Sequence, residues 1–219
     1  MTLFRLDASI MPATSASHAL GDIVESEWTG AHADSSVTRR DLTADPIPST
    51  SWQNAVLGGF TPEDARNDAQ KEAIALATTL ADEIINADAL LFNVPLYNFG
   101  VSQHFKTWFD LVKTDPRLAA AVTAVNGKPA TLVTVLGGNY SEGTPKEGWD
   151  HSTEWLVRVL QDVFGLDLRV VSRSFTLVGV DPALNDFTDI AAGLKSDAEA
   201  SARKVGRELA ELRGAGVAA

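Results

Sequence analysis

Two segments of this chain, Ala89-Leu90-Leu91-Phe92-Asn93-Val94 and Ala130 to Leu136, are almost unbroken apolar runs of only strand length. A strand with one solvated face alternates polar and apolar residues. Runs like these belong to strands covered on both faces, as in a parallel sheet with helices above and below. Helical spacing fills the gaps: Ala19, Leu20, Ile23, Val24 and Trp28, then Phe105, Trp108, Phe109 and Val112, then Trp155, Leu156, Val159, Leu160 and Val163. A last series, Ala191, Leu194, Ala198, Ala202, Val205 and Leu209, repeats at three and four.

Shorter strands complete the pattern at Leu3 to Leu6 and Val37 to Leu42, and the β-branched stretch Leu168 to Val180 predicts another. Asp45-Pro46-Ile47-Pro48 stops the second strand, because proline cannot feed a ladder, and residues 43 to 60 read as irregular. Thr61-Pro62-Glu63-Asp64 predicts the start of a helix reaching Asn86, with a capping hydroxyl, a proline at the first helical position and acids at the positive end of the dipole. Asp150 or Ser152 is placed to cap the helix containing Trp155. The order is β-α-β, loop, α-β-α-β-α-β-α. It implies an α/β fold, a doubly wound five-stranded parallel sheet with helices on both faces. No repeat or linker composition divides the chain, so residues 1–219 are read as one domain.

Composition excludes several functions. The 18 Lys+Arg against 29 Asp+Glu leave a formal charge of −11, and no basic run offers a face to nucleic acid phosphates. Cysteine is absent, which removes disulfides, thiolate metal ligands and a Cys nucleophile. The four histidines show no metal-ligand spacing, so no metal site is expected. Asp150-His151-Ser152 has the letters of a hydrolase triad, but adjacent residues cannot converge on one reacting atom. No segment is apolar for long enough to span a membrane, and the N-terminus lacks a signal-peptide pattern. A cytoplasmic protein without membrane or nucleic-acid partners is expected.

In doubly wound sheets ligands bind beyond the carboxyl ends of the strands. After the first strand, Pro12 to Ser17 with Ser9 form a hydroxyl-rich loop ahead of a helix, where orphan N–H groups and the dipole favour phosphate. Helix capping alone also accounts for such a cluster. Neither a G-x-G-x-x-G fingerprint nor a P-loop is present. After the third strand come Asn93-Val94-Pro95-Leu96-Tyr97-Asn98-Phe99-Gly100. After the fourth come Gly137-Gly138-Asn139-Tyr140. A phosphate cradle, an aromatic shelf and a close backbone approach together suit a phosphorylated flavin.

Pro95-Leu96-Tyr97-Asn98-Phe99 followed by Phe105-Lys106-Thr107-Trp108-Phe109-Asp110 resembles the P-M-Y-N-F and L-K-x-W/Y-x-D signature of the FMN-dependent NADH:azoreductases, which are also NADH:quinone oxidoreductases. Ser9, the Ser15-Ala16-Ser17 triplet and Asp41-Leu42 through Pro46-Ile47-Pro48 match further segments of that family, and weaker similarity runs to the last helix. Where the family has S-R-G-G, this chain has Val135-Leu136-Gly137-Gly138. The family's R-x-G-x-T-F insert is replaced by Lys113 to Leu118 and an Ala-rich run.

The resemblance implies a flavodoxin-like, homodimeric flavoprotein with FMN as cofactor and NADH or NADPH as electron donor, reducing a quinone or azo compound by ping-pong hydride transfer. Ser9, Ser15, Ala16 and Ser17 would hold the phosphate. Pro95, Leu96, Tyr97, Asn98, Phe99, Gly137, Gly138 and Tyr140 would lie about the ring, with Asn98, Tyr97 and Phe99 nearest the chemistry. A flavodoxin-type electron carrier and a specialised flavoenzyme without general azoreductase activity stand as alternatives.

Overall fold

Every residue from Ala89 to Asn93 is buried, and neighbouring side chains go to opposite cores: Leu90 and Phe92 into one, Ala89 and Leu91 into the other. That double burial is why the run carries no polar alternation. The computed structural model describes residues 1–11 and 14–214, excepting the side chains of 212–214; Pro12 and Ala13 of the first loop lie outside the described residues. In chain order the elements are β1 (Thr2–Asp7), α1 (Ala16–Ala31), β2 (Ser36–Asp41), α2 (Ser51–Phe60), α3 (Asp68–Ile85), β3 (Ala89–Asn93), β4 (Leu96–Tyr97) and β5 (Gly100–Val101). There follow α4 (Gln103–Val112), α5 (Pro116–Ala119), β6 (Pro129–Val135), α6 (Thr153–Val157), β7 (Asp167–Arg173) and α7 (Thr188–Gly214).

β1, β2, β3, β6 and β7 form a parallel five-stranded sheet in the order β2-β1-β3-β6-β7, while β4 and β5 pair as a separate antiparallel hairpin. Leu20, Val24 and Trp28 of α1 pack with Ala198, Ala202, Val205 and Leu209 of α7 over one face of the sheet. Ala77, Leu80 and Ile84 of α3 and Phe105, Trp108 and Leu111 of α4 cover the other. Gly21 lets α1 cross the end of β3, because a Cβ there would come within 2.5 Å of the Asn93 amide.

Three sequence expectations change. Ser51–Phe60, inside the stretch read as irregular, is helical. Its N-cap Thr50 makes no side-chain capping bond, and it is held by tertiary packing, with Ala55 and Gly58 buried. Thr61 does not open the next helix; its N–H bonds to the Gly58 carbonyl and closes α2. The chain passes through a 3₁₀ turn at Glu63–Ala65, and α3 is capped by Asn67, whose side chain accepts from Gln70 N–H while Gln70 reaches back to Asn67 N–H. That reciprocal box satisfies two orphan donors and sets the start of the helix. Finally, β7 ends at Arg173 rather than near Val180. Phe175 takes a left-handed φ of 57°, and the N–H groups of Thr176 and Leu177 turn back onto the carbonyls of Leu136 and Gly137, both at 3.1 Å. At α6, Asp150 supplies the cap: its Oδ1 accepts from Ser152 N–H and Thr153 N–H at 2.9 Å each.

Candidate functional site

The loops after β1, β3, β6 and β7 meet at the carboxyl edge of the sheet around a cleft of about 280 Å³. Ser9, Met11, Thr14, Ser15 and Ala16 line it from the first loop, Pro95, Leu96 and Tyr97 from the second, and Val135 and Gly137 from the third. Thr176, Leu177 and Val180 close it from the last.

At one end stands the N-terminus of α1. Ser15 is its N-cap in extended conformation, and its Oγ accepts from His18 N–H at 3.2 Å while sharing a 2.9 Å hydrogen bond with the buried Ser17 hydroxyl. Ser15 and Ala16 at this end line the cleft, and the orphan N–H groups and positive dipole end of a helix N-terminus favour an anion. Behind it lies Asp7, only 5% exposed, a charge that would oppose an anion if left uncompensated. Arg5 compensates it, with Nε 2.9 Å from Asp7 Oδ2, and also reaches Asp22 and Glu25 at 2.6 and 3.0 Å. Burial lowers the Arg5 pKa, but Asp7, Asp22 and Glu25 outweigh it, so the guanidinium is held above its ordinary value. Asn93 donates to Asp7 Oδ1 at 2.7 Å, and His18 Nε2 stands 3.4 Å from the same oxygen.

The opposite wall is the β4–β5 hairpin. Tyr97 Oη accepts from Ile10 N–H at 3.1 Å and lies 3.1 Å from Ser9 Oγ, which itself accepts from Met11 N–H at 3.2 Å. This ties the hairpin to the first loop. Asn98 and Phe99 form the two-residue turn with φ of 48° and 66°, so both are left-handed, the geometry of a type I′ turn, which favours Asn first and Gly second. Phe99 therefore holds a conformation unfavourable for a bulky side chain. His151 N–H bonds to its carbonyl at 3.0 Å, and its ring meets Trp149 at 5.2 Å and Tyr140 at 6.3 Å, both edge-on.

Of the residues expected around a ligand, the fold brings Ser9, Ser15, Ala16, Pro95, Leu96, Tyr97 and Gly137 to the cleft wall. Ser17 sits behind Ser15. Asn98, Phe99, Gly138 and Tyr140 stand outside the wall, at the rim formed by the hairpin tip and the loop after β6. Met11, Val135, Thr176, Leu177 and Val180 also line the cleft though the sequence does not place them about a ligand, the last three because the post-β7 segment reads as strand. Gly137 and Leu177 are matched: a Cβ on the glycine would lie 2.7 Å from Leu177 Cδ1.

A parallel sheet in this order, with its cleft where the connections diverge from β1 and β3, defines a flavodoxin-like α/β protein able to hold a phosphorylated ring ligand. The family Flavodoxin_2, described as having a flavodoxin-like fold, matches residues 1–194, and the chain belongs to it. A curated relative from Frankia casuarinae, named FMN-dependent NADH:quinone oxidoreductase, is 36% identical over 204 residues, covering 92% of this chain and 96% of the relative. The crystal structure of an azoreductase from Bacillus anthracis Sterne superposes with TM-score 0.78 at 21% identity, covering 95% of this chain and 99% of that one. An FMN-dependent NADH-azoreductase from Bacillus anthracis Ames Ancestor, solved in complex with FMN, gives 0.69 at 15%, covering 94% and 99%. At these identities the two structures show the shared fold.

Proposed function

We propose that this protein is an FMN-dependent oxidoreductase that transfers hydride from NADH or NADPH to a quinone or azo acceptor. The observation that carries the reading is the single cleft joining the Ser15-capped N-terminus of α1 to a largely apolar wall of Pro95, Leu96, Tyr97, Val135 and Leu177. Its donor set suits FMN: hydroxyls and helix amides for a phosphate, apolar side chains for a ring. The curated relatives' names support the same cofactor and reaction. When bound, FMN supplies reversible two-electron chemistry.

The chain's own residues bind and position. Ser9, Ser15, Ala16 and Ser17 address the phosphate, with Arg5 neutralising Asp7 behind them. Leu96, Tyr97 and Gly137 would flank the ring, and Asn98 with the hairpin amides would offer donors to its polar edge from the rim, an electrostatic role needing no side-chain nucleophile. Phe99, Gly138 and Tyr140 border the entry. Donor and acceptor use one opening in turn, which gives ping-pong kinetics. We place the activity in one domain of residues 1–219, in the cytoplasm; among the described residues no helix is long and apolar enough to cross a membrane. The working unit is a homodimer. Trp52, Leu57 and Phe60 of α2, 49%, 47% and 86% exposed, supply an apolar face for a second copy, and sedimentation should give twice the chain mass.

The direct test is to load the purified protein with FMN and follow NADH oxidation with menadione. Bound flavin and sustained turnover are expected. A protein that takes up no FMN overturns the reading, and one that binds FMN without turning over acceptor is a carrier instead.

A further inference from the structure

The two connections that flank the cleft carry no charge. Ala8 to Ser17, after β1, and Ser174 to Val180, after β7, contain no Asp, Glu, Lys, Arg or His, in a chain of which 21% is charged. β1 and β7 lie on either side of β3 and β6 in the sheet, so these connections form opposite lips of the cleft. Their apolar side chains are not withdrawn into the core: Met11 is 56% exposed, Leu177 44% and Val180 74%, and all three line the cleft. Ile10, beside Met11, is exposed as well. Among the described residues, no charged side chain lines the cleft.

The second lip is a preformed surface. The N–H groups of Val180 and Asp181 both bond to the Leu177 carbonyl, at 3.0 and 2.8 Å, which folds Leu177 to Asp181 into a turn. Phe175, whose N–H bonds to the Gly138 carbonyl, stacks on Phe187 at 5.0 Å and anchors the start of that turn. Apolar side chains held in water beside a cleft favour an apolar cover, in proportion to the area it removes from water. That cover is a small molecule. A lipid surface is held by Lys and Arg flanking the apolar group, and neither lip has any, in a chain of net −11. A patch of a few side chains is also far smaller than the surface a stable dimer buries.

We infer that Met11, Leu177 and Val180 form a chain-binding subsite, so that the preferred acceptor is a quinone bearing a hydrocarbon chain, its head in the cleft and its chain laid between the lips. This assignment rests on the reductase reading for the quinone head and on the lips alone for the chain. The lips hold by apolar burial. The preference should therefore survive added salt, which screens charges without weakening apolar burial.

The test compares a dimethoxymethylbenzoquinone without a chain with its homologues carrying one and two isoprene units. Calorimetry without NADH reads their affinities, on the protein as purified and after loading with FMN, and NADH oxidation reads their KM values. The first isoprene unit should tighten binding roughly three- to tenfold and lower KM in the same direction, with a more negative heat-capacity change. In the double variant Met11→Gln, Val180→Ser, whose exposed positions the fold should tolerate, that ratio should drop at least about twofold. Val122→Ser removes an equally exposed apolar side chain outside the cleft, 71% against 74%, and should leave the ratio intact. A native ratio near one overturns the subsite, as does a ratio that salt erases, that the double variant keeps, or that Val122→Ser lowers equally. Lip variants that shift sedimentation from dimer to monomer, with no chain preference in the native protein, would assign the lips to a second copy instead. Calorimetric preference for the chain without NADH turnover would sink the reductase reading and leave the subsite standing.

Discussion

The hydroxyls of Ser9 and Tyr97 stand 3.1 Å apart, linking two loops separated by 88 residues of sequence. Because Tyr97 Oη also accepts from Ile10 N–H, this one phenol orders the loop that leads to the α1 cap. Tyr97→Phe keeps the ring and removes the tie. The FMN dissociation constant should rise about fivefold, the worth of one net hydrogen bond, with little change in melting temperature. Equal affinity in both proteins would show that the first loop is ordered without this tie.

Ser15 has two duties, capping α1 and offering its hydroxyl to the cleft. Ser15→Ala should lower stability by about 1 kcal/mol through the lost cap. It should also weaken FMN by roughly tenfold while riboflavin, which lacks the phosphate, is weakened far less. Titrating both ligands separates phosphate recognition from a general loss of the pocket, because a general loss would weaken them equally.

The pairing of Gly137 with Leu177 is steric. Gly137→Ala forces a methyl to within 2.7 Å of Leu177 Cδ1, and the leucine must move into or off the cleft wall. Overpacking of this kind costs roughly 1–3 kcal/mol. Leu177→Ala in the same chain should restore most of the lost stability, as measured by denaturant melts; absence of rescue would mean that the backbone, not Leu177, resists the methyl.

Acid stability should depend on Asp115. Its hydrogen bonds with Arg117 are the largest influence on it and outweigh its burial, so its pKa lies below the ordinary 3.8. A depressed carboxylate stabilises the fold above its unfolded pKa and loses that contribution as pH falls through its folded pKa. Asn at this position can still accept the Arg117 N–H that caps α5 but carries no charge. The native protein should therefore melt higher than Asp115→Asn at neutral pH, and the gap should close as pH drops below 3.8. A gap independent of pH would assign the difference to packing.

The outcome for each element follows from where its stabilising contacts lie. β3 and β6 were legible because burial on both faces imprints an unbroken apolar run, and the hydroxyls before α1 were legible because caps are local in sequence. α2 was not: its termini lack a side-chain N-cap, it contains Gly58 and Gly59, and its burial comes from α3, with Gly58 set close against Ile74. The cleft wall at Thr176 and Leu177 was hidden for the same reason. Backbone bonds to Leu136 and Gly137 place it, and those leave no pattern in the residues themselves. Pro95 to Tyr97 and Gly137 line the cleft, whereas Asn98 and Phe99 of the tight turn stand at its rim.

That turn allows strain and ring contact to be separated at Phe99. Glycine adopts the left-handed conformation freely, whereas alanine and phenylalanine do not, a difference of about 1 kcal/mol. The edge-on contacts to Tyr140 and Trp149 are worth about 0.5–1.5 kcal/mol each when fully formed, and less at a half-exposed rim. Phe99→Ala loses the contacts and keeps the strain, so it should be destabilised by about 1–2 kcal/mol. Phe99→Gly loses the contacts and relieves the strain, and its stability should fall near that of the native chain. Both variants should raise the KM for aromatic acceptors alike, since both lack the shelf ring. Phe99→Gly would then be a protein with its fold intact and its acceptor binding impaired, whereas equal destabilisation of the two variants would show that the hairpin tip stores no strain.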